Sequence, residues 1–173
     1  MCILMVIHQG VPGYPMVVAA NRDEYYDRPT RGPHQLAHAP MIWGGQDIRA
    51  GGTWLGVNAH GLVIGLTNRR MREDQDNDPQ RRSRGLLCLE ALQRSTAAEA
   101  AEFLVSEPPE RYNPFNLLIM DTHELLWAAY EGKAHIRRLE PGLHILANGN
   151  INDFETVRIR RARRLLEHTA YPP

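Results

Sequence analysis

Two short segments near the start of the chain, residues 2–7 and 16–20, are apolar at nearly every position and show no alternation with polar residues. A strand that is half solvated alternates apolar with polar, so runs of this kind read as strands buried on both faces. Such strands need a layer on each side, which restricts the fold to stacked sheets or to a sheet covered by helices. Between them lies His8-Gln9-Gly10-Val11-Pro12-Gly13-Tyr14, whose Gly and Pro content marks a turn, so the two runs form a hairpin. Antiparallel pairing about Val11 brings Cys2 opposite the region of Asn21, with Arg22 and Asp23 beside it.

The bulk composition narrows the function classes. The 173 residues, 43% hydrophobic, suffice for one compact domain over residues 1–173. Twenty Lys and Arg balance twenty Asp and Glu, so no net field recruits nucleic acid or an acidic membrane surface. Only Cys2 and Cys88 are available for a disulfide, and Cys88 falls in a helical pattern, so a reducing compartment is expected. The apolar start is too short for a signal peptide or a membrane span and lacks a basic leader; the expected location is the cytoplasm.

Further along, residues 29–52 are rich in Pro, Gly and His without sustained periodicity and read as a long loop with short ordered pieces. A second hairpin follows, with strands over 53–57 and 62–67 joined at Asn58-Ala59-His60-Gly61, and Asn68 at its exit. Residues 69–84 read as a mixed-charge surface loop; 86–92 and 96–105 read as helices, the second capped by Ser95 or Thr96. Strands are expected over 115–120, 125–130, 135–139 and 143–147, and a last helix over 154–167 that turns Val157, Ala162, Leu165 and Leu166 towards a core.

Cys2 directly follows Met1, so removal of one residue exposes a thiol and a free α-amine on the same residue. Thiols attack as thiolates, and a terminal amine with an intrinsic pKa of about 8 can accept the proton without a histidine. A nearby Arg22 would favour the thiolate, and Asp23 could hold the terminal ammonium by a charge-assisted hydrogen bond. The competing reading makes Cys2 a small buried hydrophobe and Asn21-Arg22-Asp23-Glu24 a polar strand exit. Asn68 and Asn148 stand at ends of apolar strands, where a side-chain amide serves either an oxyanion or a turn.

Other chemistries are disfavoured. Asp74-Gln75-Asp76-Asn77-Asp78 begins like a calcium loop, but Pro79 stands where Gly is needed and Gly85 where the bidentate Glu belongs. The eight histidines show no H-E-x-x-H spacing, and neither Gly-rich phosphate motif is present. The arginine-rich last helix reads as a solvated face rather than a nucleic-acid site, and Trp43, Trp54 and Trp127 read as core or pocket walls.

At Met1-Cys2-Ile3, Ala20-Asn21-Arg22-Asp23-Glu24, Arg28-Pro29, Gly51-Gly52-Thr53-Trp54-Leu55-Gly56, Leu66-Thr67-Asn68 and Phe115-Asn116-Leu117, the chain resembles the NRDE-motif family, that is, proteins like transport and Golgi organisation protein 2. More distantly it is similar to N-terminal nucleophile (Ntn) hydrolases of the choloylglycine hydrolase and penicillin V acylase type. The resemblance implies an α+β fold, a four-layer αββα sandwich of two antiparallel sheets with helices outside. It also implies Cys2 as nucleophile, Arg22 and Asp23 as its activators, Asn68 as oxyanion donor and Asn148 as a second polar group. Relatives of this type run well beyond residue 173 and add a late arginine to the site. A truncated or degraded member is therefore expected, incomplete at its C-terminus, with an exposed sheet edge that favours homo-oligomer pairing.

Two functions follow from the resemblance. One is a cysteine hydrolase or acyltransferase acting on carbon–nitrogen amide bonds of a small acyl-amide, which requires no cofactor. The other is a non-catalytic carrier of haem or lipid that uses the same cleft, with haem as the bound group. Neither involves nucleic acid or a membrane span.

Overall fold

The computed structural model describes residues 2–70 and 77–167. Among the described residues, ten strands form two antiparallel sheets. The smaller has the order β10-β1-β2, with β1 Ile3–Val11, β2 Tyr14–Asn21 and β10 Gly142–Leu146. The larger runs β3 Thr30–His38, β4 Met41–Asp47, β5 Leu55–Asn58, β6 Val63–Asn68, β7 Phe115–Met120, β8 Leu125–Tyr130 and β9 Ala134–Leu139, each strand beside its neighbour in sequence. Helices α1 (Arg84–Ala91) and α2 (Ala97–Ser106) cover one face of the larger sheet, and α3 (Val157–Glu167) covers the outer face of the smaller.

Three apolar layers hold these elements together. Ile64, Leu117, Ile119 and Ala128 of the larger sheet pack with Leu87, Ala91 and Leu104 of α1 and α2. Leu4, Val6 and Leu146 of the smaller sheet pack against Leu118, Met120, Leu125 and Leu139 of the larger. Ile3, Ile145 and Ala147 meet Ile159 of α3. The result is the αββα sandwich the resemblance implied. β1 and β7 carry core residues on both faces because they lie inside it, as their unbroken apolar runs require. Gly65 is needed where β6 meets β1: a Cβ there would lie 2.4 Å from Leu4 Cδ2.

Several expectations are corrected. Residues 29–52 are not a long loop but supply β3 and β4, the edge of the larger sheet. Gly44 and Gly45, which suggest a loop in sequence, are packing sites: a Cβ on Gly44 would lie 2.5 Å from the Leu55 carbonyl oxygen, and one on Gly45 would lie 2.6 Å from the Trp54 ring. β2 is not buried on both faces; it is the edge of the smaller sheet, and only Met16 and Val18 pack against the core between the sheets. On α3, Val157 and Leu165 are exposed at 69% and 65%, while Ile159, Ala162 and Leu166 face the smaller sheet. Trp43, read as core or pocket wall, is 47% exposed on β4. The helix start at α2 is as expected, with Thr96 Oγ1 accepting from the Glu99 N–H and Glu99 Oε2 accepting from the Ser95 N–H. The calcium-like stretch lies partly outside the described residues, at 74–76, as do Met1 and the last residues from 168.

Candidate functional site

Strand register assembles the site from distant segments. β1 pairs with β2 with Ile3 opposite Asn21, and with β10 with Leu4 opposite Leu146. The same registers carried back to Cys2 set it between Arg22 on one side and Asn148 on the other. By alternation Cys2 shares the face of Leu4 and Val6, the face turned towards the larger sheet. Cys2 is partly exposed, and its thiol donates to the Asp23 carbonyl oxygen at 3.7 Å.

The four residues Asn21-Arg22-Asp23-Glu24 separate into two electrostatic groups. Asn21 Nδ2 donates to Asp23 Oδ1 at 2.6 Å and Arg158 Nη1 of α3 donates to Asp23 Oδ2 at 2.8 Å. The chain's terminal ammonium, then Arg158 and Asn21, hold the Asp23 carboxyl well below the usual carboxylate range. Arg22 turns the other way: Nη2 donates to Asp47 Oδ2 at 2.9 Å, Nη1 to Thr30 Oγ1 at 3.0 Å, and the guanidinium lies 4.5 Å from the centre of the Trp54 ring. Arg28 Nε donates to the same Asp47 oxygen at 2.6 Å, and Glu24 lies 3.5 Å from Arg22 and 3.9 Å from Arg28. Burial raises the Asp47 pKa, but the Ala50 N–H, Arg28 and Arg22 outweigh it, so the carboxyl stays below its ordinary value. Asp47 was invisible in sequence because its tie to Arg22 crosses 25 residues and depends on the return of β4.

On the larger sheet, β6 ends at the site. Thr67 Oγ1 donates to the Ala147 carbonyl at 2.7 Å, and Asn148 Nδ2 donates to the Asn68 carbonyl at 2.6 Å, two bonds that tie the sheets together. Arg69 fixes the turn behind them: Nη1 donates to the Gly149 carbonyl and to Asn116 Oδ1, Nη2 to Asn150 Oδ1, and Nε pairs with Glu131. Asn148 is 7% exposed and its Oδ1 has no hydrogen-bond partner. Its orientation is nonetheless fixed, because the opposite flip would set two acceptors against each other at the Asn68 carbonyl. Asn68 is exposed, and among the described residues its side-chain amide makes no hydrogen bond. The structure thus brings Cys2, Asp23, Asn148 and the main chain of Asn68 to one end of the sandwich, while the Arg22 guanidinium is held by Asp47. Thr67, Arg69 and Arg158 were missed as site supports; Thr67 lies in the Leu66-Thr67-Asn68 run, and for Arg69 and Arg158 polarity at a strand or helix end was the signal. Among the described residues no three His, Cys, Asp or Glu side chains group as a metal set.

Asn148→Ala is expected to lower stability by about 1–2 kcal/mol, because the Asn68 carbonyl loses its donor and the tie between the sheets is weakened. Urea unfolding with an unchanged denaturant dependence measures it.

A family model described as Transport and Golgi organisation 2 matches residues 1–171. The human Transport and Golgi organization protein 2 homolog is 34% identical over 130 residues, covering 70% of this chain and 45% of that protein. The chain spans about half the length of the curated relatives it matches. Among solved structures, the Caenorhabditis elegans N-acylethanolamine-hydrolyzing acid amidase ortholog gives a TM-score of 0.68 at 12% identity, over 98% of this chain and 80% of that one. A mutant conjugated bile acid hydrolase from Clostridium perfringens gives 0.54 at 15% identity, over 97% and 58%. At such identities the likeness is one of fold, that of the Ntn hydrolases.

Proposed function

For a chain that belongs to the Transport and Golgi organisation 2 family and has the fold of an Ntn hydrolase, we propose an N-terminal cysteine hydrolase or acyltransferase acting on carbon–nitrogen amide bonds. The observation that carries the reading is the position of Cys2 at the head of β1, its thiol 3.7 Å from the Asp23 carbonyl oxygen, with the Asp23 carboxylate held by Asn21 and Arg158. Once Met1 is removed, Cys2 carries a free α-amine, and Asp23 is the carboxylate that orients it.

In the proposed reaction the free amine takes the thiol proton and the sulfur attacks the acyl carbonyl carbon. The Asn68 side-chain amide, which no described residue engages, donates to the oxyanion. The C–N bond breaks as the amine passes the proton to the leaving nitrogen, which leaves a thioester on Cys2. Water, deprotonated by the same amine, adds to the thioester; the carboxylic acid departs and the thiol is restored. With an amine in place of water the product is a new amide. Arg22, the cross-strand neighbour of Cys2, is held by Asp47, Thr30 and Trp54 and fixes the strand exit that carries Asp23.

The test is amine release from a panel of N-acyl amides by the full-length, methionine-processed protein, with trapping of the acyl group on Cys2. Turnover with a trapped thioester supports the enzyme. The alternative is a haem or lipid carrier in which Cys2 would ligate haem iron. A Soret shift on haem titration, without turnover or acylation, would replace the enzymatic reading with that one.

A further inference from the structure

His8 lies towards the far end of β1, about 20 Å from Cys2 at the ordinary rise of a strand. It is 2% exposed; neither ring nitrogen makes a hydrogen bond of good geometry, and the backbone of Asp121 acts on the ring as a weak, longer-range acceptor. It shares the face of Leu4 and Val6, between the sheets, with Met16 of β2 and Gly142 of β10 on either side. The next residue, Gln9, takes a φ of 52°, and the β1–β2 register shifts between His8 and Val11. This irregularity lets Gln9 Nε2 reach the Thr122 carbonyl at 3.2 Å, so the end of β1 rests on the turn between β7 and β8.

That turn is organised by Asp121, itself 8% exposed. Asp121 Oδ1 accepts from the His123 and Glu124 N–H groups at 2.8 and 3.0 Å, and Oδ2 accepts from the N–H of Ala97, the first residue of α2, at 2.9 Å. Three layers therefore meet here: the smaller sheet through His8 and Gln9, the larger through Asp121, and the helix layer through Ala97. We propose that His8 and the Asp121 turn form an acid-released latch between the two sheets, closed while the imidazole is neutral.

The charged and titratable groups that act on His8 are Asp121 after β7, His144 of β10 and Arg138 of β9. His144 Nδ1 lies 3.0 Å from Asn152 Nδ2, and its Nε2 lies 2.8 Å from the Glu140 carbonyl oxygen. Burial dominates at His8 and lowers its pKa; Asp121 opposes this, and His144 and Arg138 reinforce it. The folded state thus favours neutral His8. Its contribution is complete above the unfolded value of about 6.5 and is lost as pH falls from there towards the folded value. A protonated ring must regain water, and the route is withdrawal of the end of β1 from the turn.

Amide exchange, corrected for intrinsic rates, tests the latch in the full chain between pH 7.5 and 5.5. Protection at residues 97–99 and 119–125 is expected to fall on acidification, by at most about tenfold per pH unit for a single proton. His8→Leu, which cannot take up the proton, should show no such fall. An equal loss in both proteins, or none in the wild type, overturns the proposal. Should His8→Leu fail to fold, NMR titration of the wild-type His8 ring decides: a midpoint below the ordinary histidine value supports the latch, and one at or above it refutes the latch.

Discussion

Asp47→Ala is expected to lower stability by about 2–4 kcal/mol, because it leaves two guanidiniums without their shared acceptor. The Arg22 side chain is 16% exposed and cannot easily recover its hydration, whereas Arg28, 31% exposed, can do so in part. For that reason the loss stays short of the largest values known for buried pairs. Glu24, at 3.5 Å from Arg22, limits it further. The effect carries a pH signature. Because the Asp47 carboxyl ionises below its ordinary value in the folded chain, its contribution is complete above about pH 4 and disappears as pH falls through the folded pKa. Urea unfolding of wild type and variant should therefore differ fully at neutral pH and converge in acid. Equal stability at pH 7 would mean that the Arg22–Asp47–Arg28 group does not hold the strand exit.

The largest functional effect belongs to Cys2. In Cys2→Ala, acylation of the chain and amine release are expected to vanish together, a loss on the order of 10³-fold or more in turnover. The fold should be untouched, since Cys2 is partly exposed and belongs to none of the apolar clusters. A variant with normal unfolding and normal turnover would remove Cys2 from the chemistry. One that unfolds early would mark it as a packing residue instead, the competing reading of the sequence.

Legibility in the sequence followed local physics. β7 and β8 were bounded to the residue because unbroken apolar runs between Pro, Asp and Gly punctuation leave one solution. The β1–β2 hairpin likewise set Arg22 and Asp23 near Cys2 from the turn alone. β3 and β4 were missed because Gly32, Pro33, Gly44 and Gly45 imitate a loop, and the packing of Gly44 and Gly45 against Leu55 and Trp54 exists only in the assembled sheet. The helical period of α3 was read correctly and its phase in part: Ala162 and Leu166 face the smaller sheet as expected, Val157 and Leu165 do not. The buried stripe runs through Ile159, Ala162 and Leu166, and Val157 and Leu165 lie off it. At the site, the residue types were visible and their partners were not. Nothing near Arg22 in sequence indicates Asp47, and nothing near Asn148 shows that its amide is given to the Asn68 carbonyl.

The account rests on Cys2 becoming the first residue, so the most direct measurement is the intact mass of the soluble, folded protein before and after a thiol-directed acylating probe. The expected spectrum lacks the mass of one methionine residue and gains a single probe adduct, which peptide mapping assigns to Cys2. A folded protein that keeps Met1 contradicts the account, because the nitrogen of Cys2 is then a peptide amide and cannot serve as its base.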